Sequence, residues 1–170
     1  ALGSGGVYLN SVSENARITN CRIIGNGTGD EVTLAGGGIL SFSPSLEISN
    51  CLFENNYAYA AGGALGVSNP GVVNINNSEF VNNHANSFGG AIQSTGGEVN
   101  IFQCLFNGNY SGGNGQVIYA EDQSVVDINF STLSYNGDLA GSIALADGST
   151  LNLSNSILWG TPNFQIVVLD

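Results

Sequence analysis

The chain has no lysine and no methionine, and only two arginines, one histidine, one tryptophan and three prolines in 170 residues. With Arg17 and Arg22 as the sole lysine-or-arginine cations against 13 carboxylates, the formal net charge is −11. That excludes a cationic cluster for nucleic acid or for an anionic membrane surface. No run of 18 apolar residues occurs, so no segment reads as a membrane-spanning helix, and no membrane insertion is expected. The lack of an initiating Met and of a signal-type leader reads as a processed or excised chain. Charged residues make up 9% of the chain, where about 25% is typical. Asn, Ser and Gly carry the polarity instead, and these are turn formers and poor helix formers. No stretch shows an amphipathic helical period. The prediction is an all-β chain, with apolar residues at 42% supplying the core of one domain over residues 1–170. A chain so poor in Lys reads as extracellular or cell-surface.

What is present is a repeat. The segments "ARITNC", "LEISNC", "VNINNS", "VNIFQC", "VDINFS" and "LNLSNS" begin at Ala16, Leu46, Val73, Val99, Val126 and Leu151, at spacings of 30, 27, 26, 27 and 25 residues. Their first and third positions are apolar in every copy, and their second is Arg17, Glu47, Asn74, Asn100, Asp127 or Asn152. Alternation with period two marks a strand with one buried face. Similar strands some 26 residues apart are parallel neighbours that meet after a full circuit. A corner residue follows (Asn20, Asn50, Asn77, Gln103, Phe130, Asn155), then a small residue (Cys21, Cys51, Ser78, Cys104, Ser131, Ser156). A second strand carries Ile23, Phe53, Phe80, Phe106, Leu133 or Leu158, and a second corner lies at Asn26, Asn56, Asn83, Asn109, Asn136 and Thr161. Gly-rich chain then leads into a third strand. Three strands and three bends per repeat predict a single-stranded right-handed parallel β-helix, a β-solenoid of about six coils of about 26 residues. Asn26, Asn56, Asn83, Asn109 and Asn136 are expected to form a hydrogen-bonded ladder along the corner. Between Asn26 and Gly36 the first repeat is about four residues longer and predicts a protruding loop.

The motif Phe-x-x-Asn at Phe53–Asn56, Phe80–Asn83 and Phe106–Asn109, with Gly-Gly-Ala-aliphatic at Gly62–Leu65 and Gly89–Ile92, resembles the passenger repeats of chlamydial polymorphic outer membrane proteins. The closing "SNSILWG" is similar to secreted bacterial β-helix repeat proteins. The resemblance implies a right-handed β-helix at the cell surface, acting in adhesion and exported as an autotransporter.

Several residues carry candidate chemistry. Tyr57, His84 and Tyr110 fall in one column and are candidates for stacking on host or matrix glycans, against a plain exposed ring ladder. Asp30 and Glu31 on the long loop are candidate ligands for a weak Ca²⁺ site, with a solvated acidic loop preferred. No other metal site and no cofactor is expected. Cys21, Cys51 and Cys104 share an inward column; Cys21 and Cys51 are near enough to bridge, but packed free thiols are preferred. The carboxylates Glu47, Glu54, Glu79 and Glu98 fall in different columns, and Glu121 and Asp122 would point to opposite faces of a strand. No acid pair for a glycosidase or lyase emerges, so the chain reads as non-enzymatic, with polysaccharide lyase or hydrolase kept as an alternative. The entry and exit segments present Val7 and Leu9 at one end and Ile166 and Val168 at the other as a subunit junction. The functional expectation is therefore a structural protein that stacks head-to-tail into a filament, its partner being itself. The alternative is a segment of a surface adhesin or autotransporter passenger that binds glycan or protein.

Overall fold

The structure, a computed structural model, describes residues 5–10, 15–29, 35–68, 71–137, 141–160 and 165–169. These residues form parallel strands wound into a prism, with no helix among them. The first face stacks Ala16–Thr19, Ser45–Ser49, Val72–Asn76, Glu98–Phe102, Val125–Asn129 and Thr150–Ser154. The second stacks Arg22–Ile24, Leu52–Glu54, Glu79–Val81, Leu105–Asn107, Thr132–Ser134 and Ile157–Trp159. The third stacks seven strands, from Val7–Leu9 through Ile39–Ser41, Leu65–Ser68, Ile92–Thr95, Ile118–Glu121 and Ile143–Leu145 to Ile166–Val168. On the first two faces the repeat strand recurs six times, so five full circuits separate the first copy from the last.

The register is the one the alternation predicts. Leu46 pairs with Val73, Val73 with Val99 and Val99 with Val126; Ile48, Ile75, Ile101 and Ile128 follow in the same order. Both columns face inward and are essentially solvent-free from Leu46 to Ile128. On the second face Phe53, Phe80 and Phe106 stack ring on ring, at centroid separations of 4.6 and 4.7 Å and interplanar angles of 2° and 12°. Each buried Phe contributes about 1.5–3 kcal/mol through the apolar surface it removes from water.

Two polar ladders hold the corners. The side-chain oxygen of Asn83 accepts both the backbone N–H and the side-chain amide of Asn56, at 3.1 and 2.9 Å. Asn109 does the same for Asn83, and Asn136 for Asn109. Asn26 opens the series by donating both groups to Asn56. The second amide hydrogen of Asn83 goes back to the Phe53 carbonyl at 3.0 Å, that of Asn109 to Phe80 at 2.8 Å and that of Asn136 to Phe106 at 3.1 Å. The expected sixth corner, Thr161, lies outside the described residues. The second ladder uses the small residue after the first corner. Cys51 N–H donates to Ser78 Oγ, Cys104 N–H to Ser131 Oγ and Ser131 N–H to Ser156 Oγ, at 3.0–3.1 Å. The Cys51 and Cys104 thiols in turn donate to the Ser49 and Phe102 carbonyls, at 3.3 and 3.4 Å. Cys and Ser share this position, and each donates from its γ atom to the carbonyl two residues back.

The structure refines the expected bends. The left-handed residue of the second corner is the one before the ladder Asn: Gly25, Asn55, Asn82, Gly108, Tyr135 and Gly160 all have positive φ. That frees the ladder residue to turn its amide inward. A two-residue strand also follows the ladder in the middle rungs (Tyr57–Ala58, His84–Ala85, Tyr110–Ser111), because the ladder residue's carbonyl accepts the next rung's N–H, as from His84 to Asn56 and Tyr110 to Asn83. The Gly-Gly-Ala motif is architectural. Gly62 has φ +65°, and a Cβ on Gly63 would lie 2.2 Å from the Gly90 carbonyl oxygen. Ala64 and Ala91 face the core with no exposed surface.

Asn109→Ala removes an acceptor for two donors of Asn83 and leaves a buried N–H unpaired. It should cost about 3 kcal/mol in denaturant unfolding. The exposed Asn152→Ala, which loses one surface bond to Asp127, should cost under about 1 kcal/mol. Equal costs for the two would contradict the ladder's role.

Candidate functional site

Tyr57, His84 and Tyr110 are paired across adjacent rungs, and Gly27 bridges to Tyr57 at the start of the column. The rings meet edge to face, Tyr57 to His84 at 5.5 Å and 72° and His84 to Tyr110 at 5.0 Å and 65°. All three are half-buried, and the Tyr57 hydroxyl accepts the Asn86 side-chain amide at 2.7 Å. The column exists as expected, but its alternating tilt gives no flat platform. Burial lowers the pKa of His84 from its ordinary value, since desolvation disfavours the imidazolium.

The cysteine column is buried only where a described rung lies on both sides. Cys51 and Cys104 are buried, whereas Cys21 on the first rung is exposed, which corrects the expectation of three packed thiols. Burial pushes the Cys104 thiol up to about 11 and also raises Cys51. Asp30 and Glu31 lie outside the described residues. Among the described residues no three His, Cys, Asp or Glu side chains come together as a metal site. Glu47 and Asp127 share a column three rungs apart, and Glu47 pairs with Arg17 at 2.8 Å. Glu121 ends its strand and accepts bonds from Gln93 and Thr95 at 3.1 and 3.0 Å. Asp122 is not on that strand: it begins a turn with φ 56°, so the rule of opposite faces does not apply to the pair.

The end residues sit where the repeat places them. Among the described residues Val7–Leu9 pairs with Ile39–Ser41 alone, and Ile166–Val168 with Ile143–Leu145 alone, making them the two outermost strands of the seven-stranded face. Ile166 and Val168 continue the inward columns of Ile143 and Leu145, yet are 40% and 70% exposed.

One group was missed by sequence reasoning. Every left-handed non-glycine residue among those described is Asn, Gln or Asp, except Phe130 (φ 50°) and Tyr135 (φ 51°). These two flank the same strand, Thr132–Ser134. Bulky side chains are rare in this region, and holding one there costs on the order of 1–3 kcal/mol. Their rings are nonetheless 56% and 65% exposed. Beside them on the next rung, Ile157 and Trp159 are 58% and 63% exposed. Phe102 meets Phe130 edge to face at 5.7 Å. The signal was in the corner columns, where aromatic residues replace Asn or Gly on one rung. An open groove of about 460 Å³ reaches Phe130 and Thr132 from Asn77, Glu79, Gln103 and Leu105.

Three parallel faces wound in constant register define a parallel β-helix. The chain belongs to the family described as right handed beta helix region, whose model matches residues 2–115, more than half its length. In the structure the same rungs continue past that match to Val168. No curated protein and no solved structure matches the chain.

The lowered pKa of His84 has a sign. Below the ordinary imidazole value, near 6.5, the unfolded chain takes up a proton that the folded chain resists, so stability falls as pH drops through that value. His84→Tyr, matching its column neighbours, should remove this increment. Melting curves from pH 7.5 to 5.5 should show the wild type losing more stability than the variant; parallel curves would contradict the assignment.

Proposed function

We propose that the chain is a non-enzymatic, extracellular structural protein whose rungs continue from one copy to the next, head to tail, as a filament. The observation that carries this reading is the pair of outermost strands on one face, Val7–Leu9 and Ile166–Val168, each with one neighbour among the described residues. An unpaired parallel edge is a template for another strand. Contact between the two unlike ends is heterologous and does not close, so it propagates. The columns support the fit: Ile166 of one copy would meet Val7 of the next, continuing a series that runs Val7, Ile39, Leu65, Ile92, Ile118, Ile143, Ile166. Leu151 and Leu158 at one end, and Ala16 and Ile18 at the other, are only partly buried against the core; with seven described strands on the third face and six on each of the others, seating Val7 on Ile166 leaves the width of one strand between them. Charge favours unlike ends as well. Both arginines lie on the first rung, so two like first-rung ends would bring them together. A second reading, a surface adhesin or autotransporter passenger segment, is favoured by the outward aromatic residues on the last rungs and by the likeness to chlamydial passenger repeats.

Sedimentation and electron microscopy of the intact chain test the main reading. Threads that lengthen with concentration are expected, and Val168→Lys should stop them at single copies by placing an ammonium in the junction. A wild-type chain that stays monomeric at high concentration would overturn the filament. Release of reducing or unsaturated sugar from a polysaccharide, lost on changing one carboxylate, would overturn the non-enzymatic assignment.

A further inference from the structure

We propose that the outward strip formed by Phe130, Tyr135, Ile157 and Trp159 is a binding site for a neutral polysaccharide chain. Phe130 and Tyr135 flank the strand one rung in from the end, and Ile157 and Trp159 lie on the outermost strand of the second face among the described residues. Four observations converge on it.

The first is conformational. The corner residue is Asn at Asn20, Asn50 and Asn77 and Gln at Gln103, then Phe at Phe130, with φ 50°. The other corner is Gly or Asn until Tyr135, with φ 51°. Strained backbone positions persist where the surrounding structure over-determines them, and they cluster at ligand clamps. Here two unfavourable choices flank one three-residue strand, and neither residue is buried: both are more than half exposed, with Phe130 touching Phe102 edge to face.

The second is the patch they make with the next rung. Ile157 pairs with Thr132, and Trp159 with Ser134, so two exposed apolar side chains lie directly beside that strand. Contiguous exposed apolar surface marks an interaction site more often than isolated apolar residues do.

The third is the chemistry between the rings. Thr132 and Ser134 point outward in the midst of the patch, and the Asn107 amide donates to Ser134 Oγ at 3.0 Å. Rings separated by hydroxyls and amides suit a sugar. The C–H face of a pyranose packs on an aromatic face, while its hydroxyls need hydrogen-bond partners at the edges. The groove that ends at Phe130 and Thr132 gives such a chain a concave path along the corner.

The fourth is charge. On the first three rungs the outward residues of the second face include Arg22, Glu54 and Glu79; on the last three they are Leu105, Asn107, Thr132, Ser134, Ile157 and Trp159. The strip is thus an uncharged zone on a chain of net charge −11. An acidic polysaccharide would be repelled by that field and find no cation in the strip, whereas a neutral one meets neither cost.

Trp159 is the only tryptophan and reports on the site directly. The intact chain and its Val168→Lys form should be titrated with cellohexaose, chitohexaose and, as the acidic comparison, hexagalacturonate, following tryptophan emission. Using the Val168→Lys background separates this test from the fate of the filament. The expected result is a saturable emission change with a neutral hexasaccharide and none with hexagalacturonate. Phe130→Asn with Tyr135→Asn restores the residue type of the other corners, so this double variant should melt no lower than the wild type. It should still weaken binding at least about tenfold, the loss of two ring faces. No change with either neutral sugar, equal binding of the acidic one, or undiminished binding by the folded double variant would overturn the proposal. So would an emission that shifts with protein concentration alone in the Val168→Lys form, which would assign the strip to a second copy.

Discussion

A buried side-chain amide survives in an apolar interior only if every donor and acceptor on it has a partner. Along the corner ladder those partners are the Asn residues one rung away on either side and a backbone carbonyl of the preceding rung. Asn83 receives two hydrogen bonds from Asn56, gives two to Asn109 and returns one to the Phe53 carbonyl. That arrangement tolerates no change of register, since a slip of one residue would replace each Asn by a neighbour of different shape and leave several buried groups unpaired at once. The constant period, the Phe stack three residues upstream and the Gly-Gly turn that closes each rung all follow from keeping these amides aligned. Low charge follows too, because identical columns would place like charges about one strand spacing apart.

Much of this was legible from the chain itself. Alternation at Leu46–Ile48, Val73–Ile75 and Val99–Ile101 identified the first face, and its repetition set a register that the pairing reproduces residue for residue. The Asn ladder was legible for the same reason: a polar residue recurring at a buried phase demands a mate at the same phase. What the period could not give was torsion and exposure. It placed Tyr57, His84 and Tyr110 in one column, but not the 65–72° tilt between their rings. It placed Cys21 in an inward column without registering that the thiol there is exposed. It put the second bend on the ladder Asn, when the left-handed turn belongs to the residue before it. Phe130 stood in the corner column from the outset, but its meaning depends on a positive φ, an exposed ring and the proximity of Tyr135 and Trp159.

The two functional readings use different parts of one solenoid. Axial growth depends on end rungs whose inward residues, such as Ile166 and Val168, remain exposed. Lateral recognition depends on side chains that leave the core columns altogether. A β-helix keeps the two separate, because outward residues contribute little to the ladder and vary freely from rung to rung. The aromatic strip sits where that freedom was used, at corners that elsewhere carry the residues best suited to the backbone.

The claim on which all else rests is that the corner amides are structural members as firm as the core. Native-state hydrogen exchange reads this directly at the backbone N–H groups of Asn56, Asn83 and Asn109, each of which is held by a side-chain oxygen and not by a strand carbonyl. The account predicts that these three exchange as slowly as the strand amides of Phe53, Phe80 and Phe106, through global unfolding only. Exchange at the rate of surface turns, with the neighbouring strands still protected, would contradict it.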